Sequence, residues 1–362
     1  MNWIHLTGIA GFVLGGLSAC TPPPTKADAE PETPTPVPVQ ETEASRADVS
    51  IATMRERALA TLEAVAVQSD DPALRANALE GLEQTPVRAE PLVRRSLQDQ
   101  NEGVRTIAAL VAGRAGLRNL EPELRSRAND PSERVRLAVI YALRTNGLEA
   151  DPSPLGRALF SANDPRVRAH AAFILGELGD PSALPMLRQA ANEPMPRAEA
   201  SLVAVMRFQI GEALIKLGDP EPLQGLRAAL YPSRPEDLEL TALAVQIIGA
   251  VEDQASIGQL IYLSATKDGR RFLPPEVRLS VAQSLGRMGR DEGSFLGDEY
   301  ARHPSELIRE QAAHVYGWTL DSSEVRRLEP LLTDPSVRVR VAAASGILRV
   351  SATSDRFGAA RP

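Results

Sequence analysis

The stretch Asp164–Asp180, DPRVRAHAAFILGELGD, decides the fold. An Asp able to cap a helix through its side chain stands before a Pro at the first helical position, where a missing N–H costs nothing. Val167, Ala171, Ile174, Leu175 and Leu178 follow at helical spacing and make one apolar stripe. Gly179 supplies the stop, and Asp180-Pro181 opens another helix at once. This is an amphipathic helix of about four turns with nothing beside it in sequence to bury its stripe. It needs neighbours, and the chain supplies copies.

Aligned on the Arg of the Val-Arg pair, the copies place Arg75, Arg105, Arg136, Arg168, Arg207, Thr241, Arg278, Arg309 and Arg338 in one column. Successive members lie 29 to 39 residues apart, the length of a two-helix unit. Second helical stretches fall between them, as at 183–191, 223–230 and 257–266. With Met54 to Val67 as the opening helix, residues 51–350 read as about nine helical hairpins in one all-α solenoid. Gly recurs eight positions after the anchor, at 113, 176, 249, 286, 317 and 346. Inside a helix Gly costs ~1 kcal/mol against Ala, so this column marks close helix approach. The anchor Arg and the Asp at the helix start read as a ladder of charged hydrogen bonds that sets register along the stack.

Composition supports closely packed helices. Aromatics are only 4% of a chain that is 43% apolar, so Ala fills much of the core. A formal charge of −7 leaves no basic footprint and argues against nucleic acid as partner. Chemistry is absent from the pattern. His170, His303 and His314 form no ligand pair, and Cys20 is the only cysteine, so no metal constellation and no internal disulfide is expected. No phosphate-cradling Gly-rich loop and no Gly-x-Ser-x-Gly elbow is present. The carboxylates sit mostly at caps and turns, where a structural role suffices. We expect no cofactor, no catalytic residues and no enzyme.

The N-terminus differs from the rest. Residues 3–19 form an apolar run ending Leu17-Ser18-Ala19-Cys20. This resembles the lipobox of bacterial lipoproteins, which implies removal of residues 1–19 as a signal peptide and acylation of Cys20, with palmitate among the chains attached. An uncleaved membrane anchor and a soluble secreted product are the alternatives, because the n-region holds no Lys or Arg. From residue 20 to 50 the chain is Pro-rich and acidic with no aromatic residue, and reads as a disordered tether. Residues 351–362 read as a disordered tail.

The repeated segments resemble the HEAT family in its short bacterial, PBS-lyase-like form. The strongest copies are DPRVRAHAAFILGELGD at 164 and DPSVRVRVAAASGIL at 334, with weaker ones at 71, 130 and 274. The resemblance implies a right-handed α-α superhelix whose second helices line a concave surface. Positions two, five and nine after the anchor share a face away from the core columns. They supply the candidate partner-binding residues Tyr141, His170, Phe173, Glu177, Glu212, Lys216, Arg287, His314 and Trp318, read as exposed groups in a groove; packing between neighbouring helices is the other reading of Tyr141 and Phe173. A second candidate surface is the edge carrying the turns within hairpins, long in repeats five to seven, with Lys267, Arg270, Arg271 and Phe272 at its most prominent tip. The expected function is a lipid-anchored scaffold that binds a protein partner at the bacterial cell envelope. Thr21 in place of an inner-membrane-retaining Asp favours the outer membrane by resemblance. The alternative is a lyase-like or other small-ligand enzyme using the concave groove.

Overall fold

The computed structural model describes residues 51–265, 267–268, 271–321 and 324–358. The expected signal peptide, Cys20 and tether lie outside the described residues, as does Arg270. The first hairpin is α1 (Ile51–Gln68) with α2 (Pro72–Gly81), and the second α3 (Pro86–Ser96) with α4 (Glu102–Arg114). Next come α5 (Glu121–Ser126) with α6 (Glu133–Thr145) and α7 (Ser153–Ser161) with α8 (Pro165–Leu178). The fifth and sixth are α9 (Leu184–Asn192) with α10 (Ala200–Lys216), and α11 (Leu223–Ala228) with α12 (Leu238–Ala250). Then follow α13 (Ile257–Ala265) with α14 (Pro275–Arg287) and α15 (Phe295–Tyr300) with α16 (Glu306–Thr319). In the ninth unit two 3-10 segments, Val325–Leu328 and Pro330–Thr333, replace the first helix before α17 (Val337–Gly358). Helix α17 runs past residue 350, so the segment expected to be a disordered tail is helical to Gly358.

The signals read from sequence act as expected at the helix starts. The carboxylates of Asp71 and Asp164 accept from the Ala73 and Arg166 N–H groups, and the Asn101 amide oxygen accepts from Gly103 N–H. At the ends, Gly116, Gly147, Gly179, Gly218 and Gly289 each stand eleven after an anchor with φ between 67° and 98°, the left-handed stop that glycine adopts without strain. Glu252 takes the same place after α12 at φ 54°, the one non-Gly residue with positive φ among the described residues.

The second helices of the hairpins pack side by side as an inner layer, with the first helices outside them. Helix α17 packs against α16 on one side and against α1 and α2 on the other. The α-α solenoid of nine hairpins therefore closes on itself as a ring, a rotation of roughly 40° per unit. The closure is an apolar seam: Met54, Leu62 and Leu79 share one core with Val339, Ile347 and Leu348. Gly81 makes it possible, because a Cβ there would lie 2.3 Å from Ser345 Oγ. Ion pairs from Arg57 to Glu329, 2.8 Å, and from Arg338 to Asp71, 4.0 Å, cross the same seam. Repeats six and seven carry a core of their own, from Leu226 to Met288, joined to repeat five through the partly buried Phe208 and Ile215.

The anchor arginines share one geometry. Arg75, Arg105, Arg136 and Arg309 each donate from Nη1 to the carbonyl six residues earlier, at 2.7–2.8 Å. Arg340 does the same to Asp334. The ninth anchor is thus Arg340 rather than Arg338, a slip of two residues that moves Ser345 and Arg349 into the inward columns. The ladder is real but partial. Arg75 pairs with Asp99, Arg105 with Asp130 and Arg309 with Asp334, each through two hydrogen bonds of 2.8–3.0 Å. The acceptor is the Asp ahead of the next inner helix, which at Asp130 and Asp334 is the Asp of the Asp-Pro start. It breaks at Arg136, which donates to the Asp130 and Pro131 carbonyls, at Arg168, which donates to the Ala162 and Phe160 carbonyls, and at Thr241, whose hydroxyl donates to the Ala229 and Asp237 carbonyls.

Candidate functional site

Closure turns the expected concave groove into a narrow axis, and the inward columns meet across it. Phe173 on α8 has the Arg114 guanidinium of α4 at 5.9 Å and the Lys216 ammonium of α10 at 5.6 Å from its ring centroid. Lys216 Nζ also lies 2.7 Å from both Glu177 Oε1 and Glu212 Oε1. Arg114 is 3.7 Å from Glu80 and 3.6 Å from Glu83. Trp318 on α16 has the guanidinium carbons of Arg287 and Arg349 at 4.9 and 4.2 Å from its ring centroid.

Tyr141, His170 and Phe173 are not the exposed groups expected in a groove. All three are buried, as is Glu212, because neighbouring inner helices and the far wall of the ring cover them. His170 turns back toward the preceding repeat, its Nε2 3.0 Å from the Arg134 carbonyl. Burial, then the Arg134 charge, push its pKa down to about 3, so it is a neutral packing residue. Trp318 and His314 are half-buried. Arg349, absent from the residues that the sequence columns nominate, is the axial residue that the register slip conceals.

One opening on the axis is small. A cavity of about 60 Å³ beside the closure is lined by Asn77, Glu80, Glu83, Arg114, Glu310, His314, Ser345 and Arg349, among others. Small-molecule sites run to roughly 300–1,000 Å³, and this one has room for a few waters. Its ion pairs are loose, with Arg114 3.7 Å from Glu80 and 3.6 Å from Glu83, and Glu310 3.5 Å from Arg338. Burial pushes the carboxyls of Glu80 and Glu310 up to about 7 against their arginine neighbours. Burial, then Arg287, push Arg349 down to about 10.

These carboxyls fix the sign of a pH effect. A raised folded pKa means that the ring binds protons the unfolded chain has released, so the stabilisation is present below about pH 4.5 and is lost as pH rises through 7. A tenfold change in a proton-binding constant is worth ~1.4 kcal/mol, and ~1 kcal/mol moves Tm by roughly 2 °C or less in a chain of this size. Between about pH 5 and about pH 8 the wild-type ring is expected to lose several degrees of Tm relative to a Glu80→Gln, Glu310→Gln variant. Parallel pH dependences of Tm for the two proteins would contradict the assignment.

The outer surface offers the exposed groups that the axis does not. Tyr231 and Tyr262 are 65% and 63% exposed. Tyr231 lies just past α11, and its hydroxyl donates to Gln259 Oε1 on α13 at 2.9 Å. Gln259 and Tyr262 are three apart and share a helix face, so the two tyrosines form one patch on repeats six and seven. The inward columns could not reveal it, since both residues belong to the outer layer. The loop beyond α13 carries an antiparallel pair of two-residue strands, Lys267–Asp268 and Arg271–Phe272, which places the expected basic tip on the edge of within-hairpin turns. On that edge, between the α1–α2 and α3–α4 turns, lies an open groove of about 670 Å³ bordered by Asp70, Arg75, Arg94 and Arg95. Among the described residues no group of three or more His, Cys, Asp or Glu side chains is arranged to hold a metal, and no helix is long and apolar enough to cross a membrane.

Stacked helical hairpins, five of them with one anchor geometry, define an α-α repeat protein. A family model for HEAT repeats matches residues 59–144 and 152–246, and the chain belongs to that family. No curated protein matches it. Among solved structures it is similar to the complex of CpcE and CpcF of phycocyanin lyase from Nostoc sp. PCC7120, at 18% identity and TM-score 0.39, covering 77% of this chain and 98% of that one. It is also similar to human deoxyhypusine hydroxylase in complex with glycerol, at 18% identity and TM-score 0.32, over 73% of this chain and 94% of that one. Likenesses at this level carry no argument about activity.

Proposed function

We propose that this chain is a lipid-anchored, non-catalytic scaffold that binds a protein partner at the bacterial cell envelope, using the outside of its ring rather than a concave groove. One observation carries the choice of surface: the axis is narrowed by the ion pairs of Lys216 and Arg114 and by the buried Tyr141 and Phe173, while Tyr231 and Tyr262 stand exposed on repeats six and seven. Exposed aromatics are common anchors of protein interfaces. The long turns of repeats five to seven lie on the rim of the same region and widen the surface available. Anchoring rests on Cys20 after the apolar run, and the acidic, Pro-rich stretch to residue 50 would hold the ring off the bilayer. Outer-membrane residence is part of the same reading. The small-ligand alternative asks for a deep pocket with converging polar groups, and a cavity of about 60 Å³ gives it little support.

The test is crosslinking and pull-down from membranes with wild-type protein, a Tyr231→Ala, Tyr262→Ala variant and a Trp318→Phe control. Recovery of the partner is expected to drop about ten-fold or more with the tyrosine variant, the effect of losing an interface anchor of ~2 kcal/mol, and to persist with the control. The opposite pattern would return the working face to the axis. Labelling with a palmitate analogue that survives Cys20→Ala would remove the anchor.

A further inference from the structure

We infer that the ring axis carries a binding site for a small oxyanion, formed by Arg287 and Gln283 of α14 beside Trp318. Two other cations on the axis are paired. Lys216 is engaged by Glu177 and Glu212, and Arg114 by Glu80 and Glu83. No carboxylate of the described residues lies within 4 Å of Arg287. Its Nη1 is buried and has no hydrogen-bond partner. One helical turn earlier, Gln283 is 7% exposed and its Nε2 is likewise buried and unpartnered. Positions 283 and 287 are four apart and face the same way. Two buried donor atoms, one of them cationic, therefore stand on one helix face without a hydrogen-bond acceptor.

The surroundings deepen the deficit. Arg349 shares the Trp318 ring with Arg287, so two guanidiniums meet at one indole. Burial holds both below the usual arginine range, and the Arg287 charge adds to this at Arg349. At Arg287 burial outweighs the charges of Glu212, Glu252 and Glu177, none of which stands within 4 Å, and a buried cation in that position is stabilised by a hydrogen-bonded oxyanion. The matching ligand is a compact group with several acceptor oxygens, a carboxylate or a phosphate, able to take Arg287 and Gln283 together. This inference stands apart from the outer-face partner: failure of either leaves the other untouched.

Trp318 is a built-in reporter. The chain has two tryptophans, so Trp3→Phe in the full-length protein leaves one. Titration with inorganic phosphate and with formate at constant ionic strength is expected to change Trp318 fluorescence saturably with at least one of them. Arg287→Met is expected to weaken that response by about ten-fold or more, and Gln283→Leu by several-fold. Because burial outweighs the attraction of Glu212, Glu252 and Glu177 at Arg287, Arg287→Met in anion-free buffer should melt no lower than its parent, while losing the rise in Tm that the anion confers on the parent. Should Arg287→Met not fold, Gln283→Leu decides. Linear, non-saturating responses to both anions, or equal affinity in parent and variants, would overturn the site.

Discussion

Ending the chain after Leu320 is expected to destabilise residues 51–81, at the opposite end of the sequence. The deletion removes α17, which buries Val339, Val341, Ile347 and Leu348 and covers Met54, Leu62 and Leu79. Each such side chain is worth ~1.5–3 kcal/mol when fully buried, so the seam carries of the order of 10 kcal/mol, comparable with the whole stability of an ordinary domain. In an open stack the loss of the last unit would remain local, because each unit touches only its neighbours. In a ring the first unit is a neighbour of the last. Hydrogen exchange or limited proteolysis across α1 and α2 reads the difference: protection there should collapse in the truncated protein. Unchanged protection would mean that the ring does not close.

Asp130→Ala should be among the most damaging single substitutions in the chain. Asp130 and Arg105 are both buried, 4% and 8% exposed. Burial by itself would raise the Asp130 carboxyl, but hydrogen bonds from Arg105 and from the Ser132 N–H hold it below its usual value. Removing the carboxylate strands the guanidinium between repeats two and three, at a cost of ~3–5 kcal/mol. The double variant Arg105→Met, Asp130→Ala should recover much of that loss, since no uncompensated charge remains. Denaturant unfolding of the three proteins checks both parts. A depressed carboxyl also stabilises only above its unfolded pKa near 3.8, so this contribution fades as pH falls through the still lower folded value. An exposed pair would have shown ~0–1 kcal/mol; it is burial that changes the scale.

Much of the fold is legible in short-range signals. Asp-Pro starts, helical apolar spacing and the Gly179-type stop each depend on a few adjacent residues, and the capping bonds form where those signals stand. The ninth register is ambiguous in the sequence because DPSVRVR offers arginines four and six residues after Asp334. The cue that resolves it stands in DPSERVR, where the anchor Arg136 is also six after its Asp130. Of the candidate site, the inward columns name Phe173, Glu177, Glu212, Lys216, Arg287 and Trp318 as residues that share one face. Their degree of burial is not written there, because it depends on helices several repeats away.

The sequence by itself determined an all-α body of about nine hairpins, their order and, outside the ninth, the face on which each residue of the inner helices stands. Those properties follow from spacing, capping and backbone preference, which act within a turn or two. Only the tertiary structure decided that the stack closes, that Tyr141 and Phe173 are buried, and that Arg287 and Arg349 meet at Trp318. Closure depends on a small rotation repeated at every interface. It is a sum over many side-chain contacts, to which no single motif corresponds.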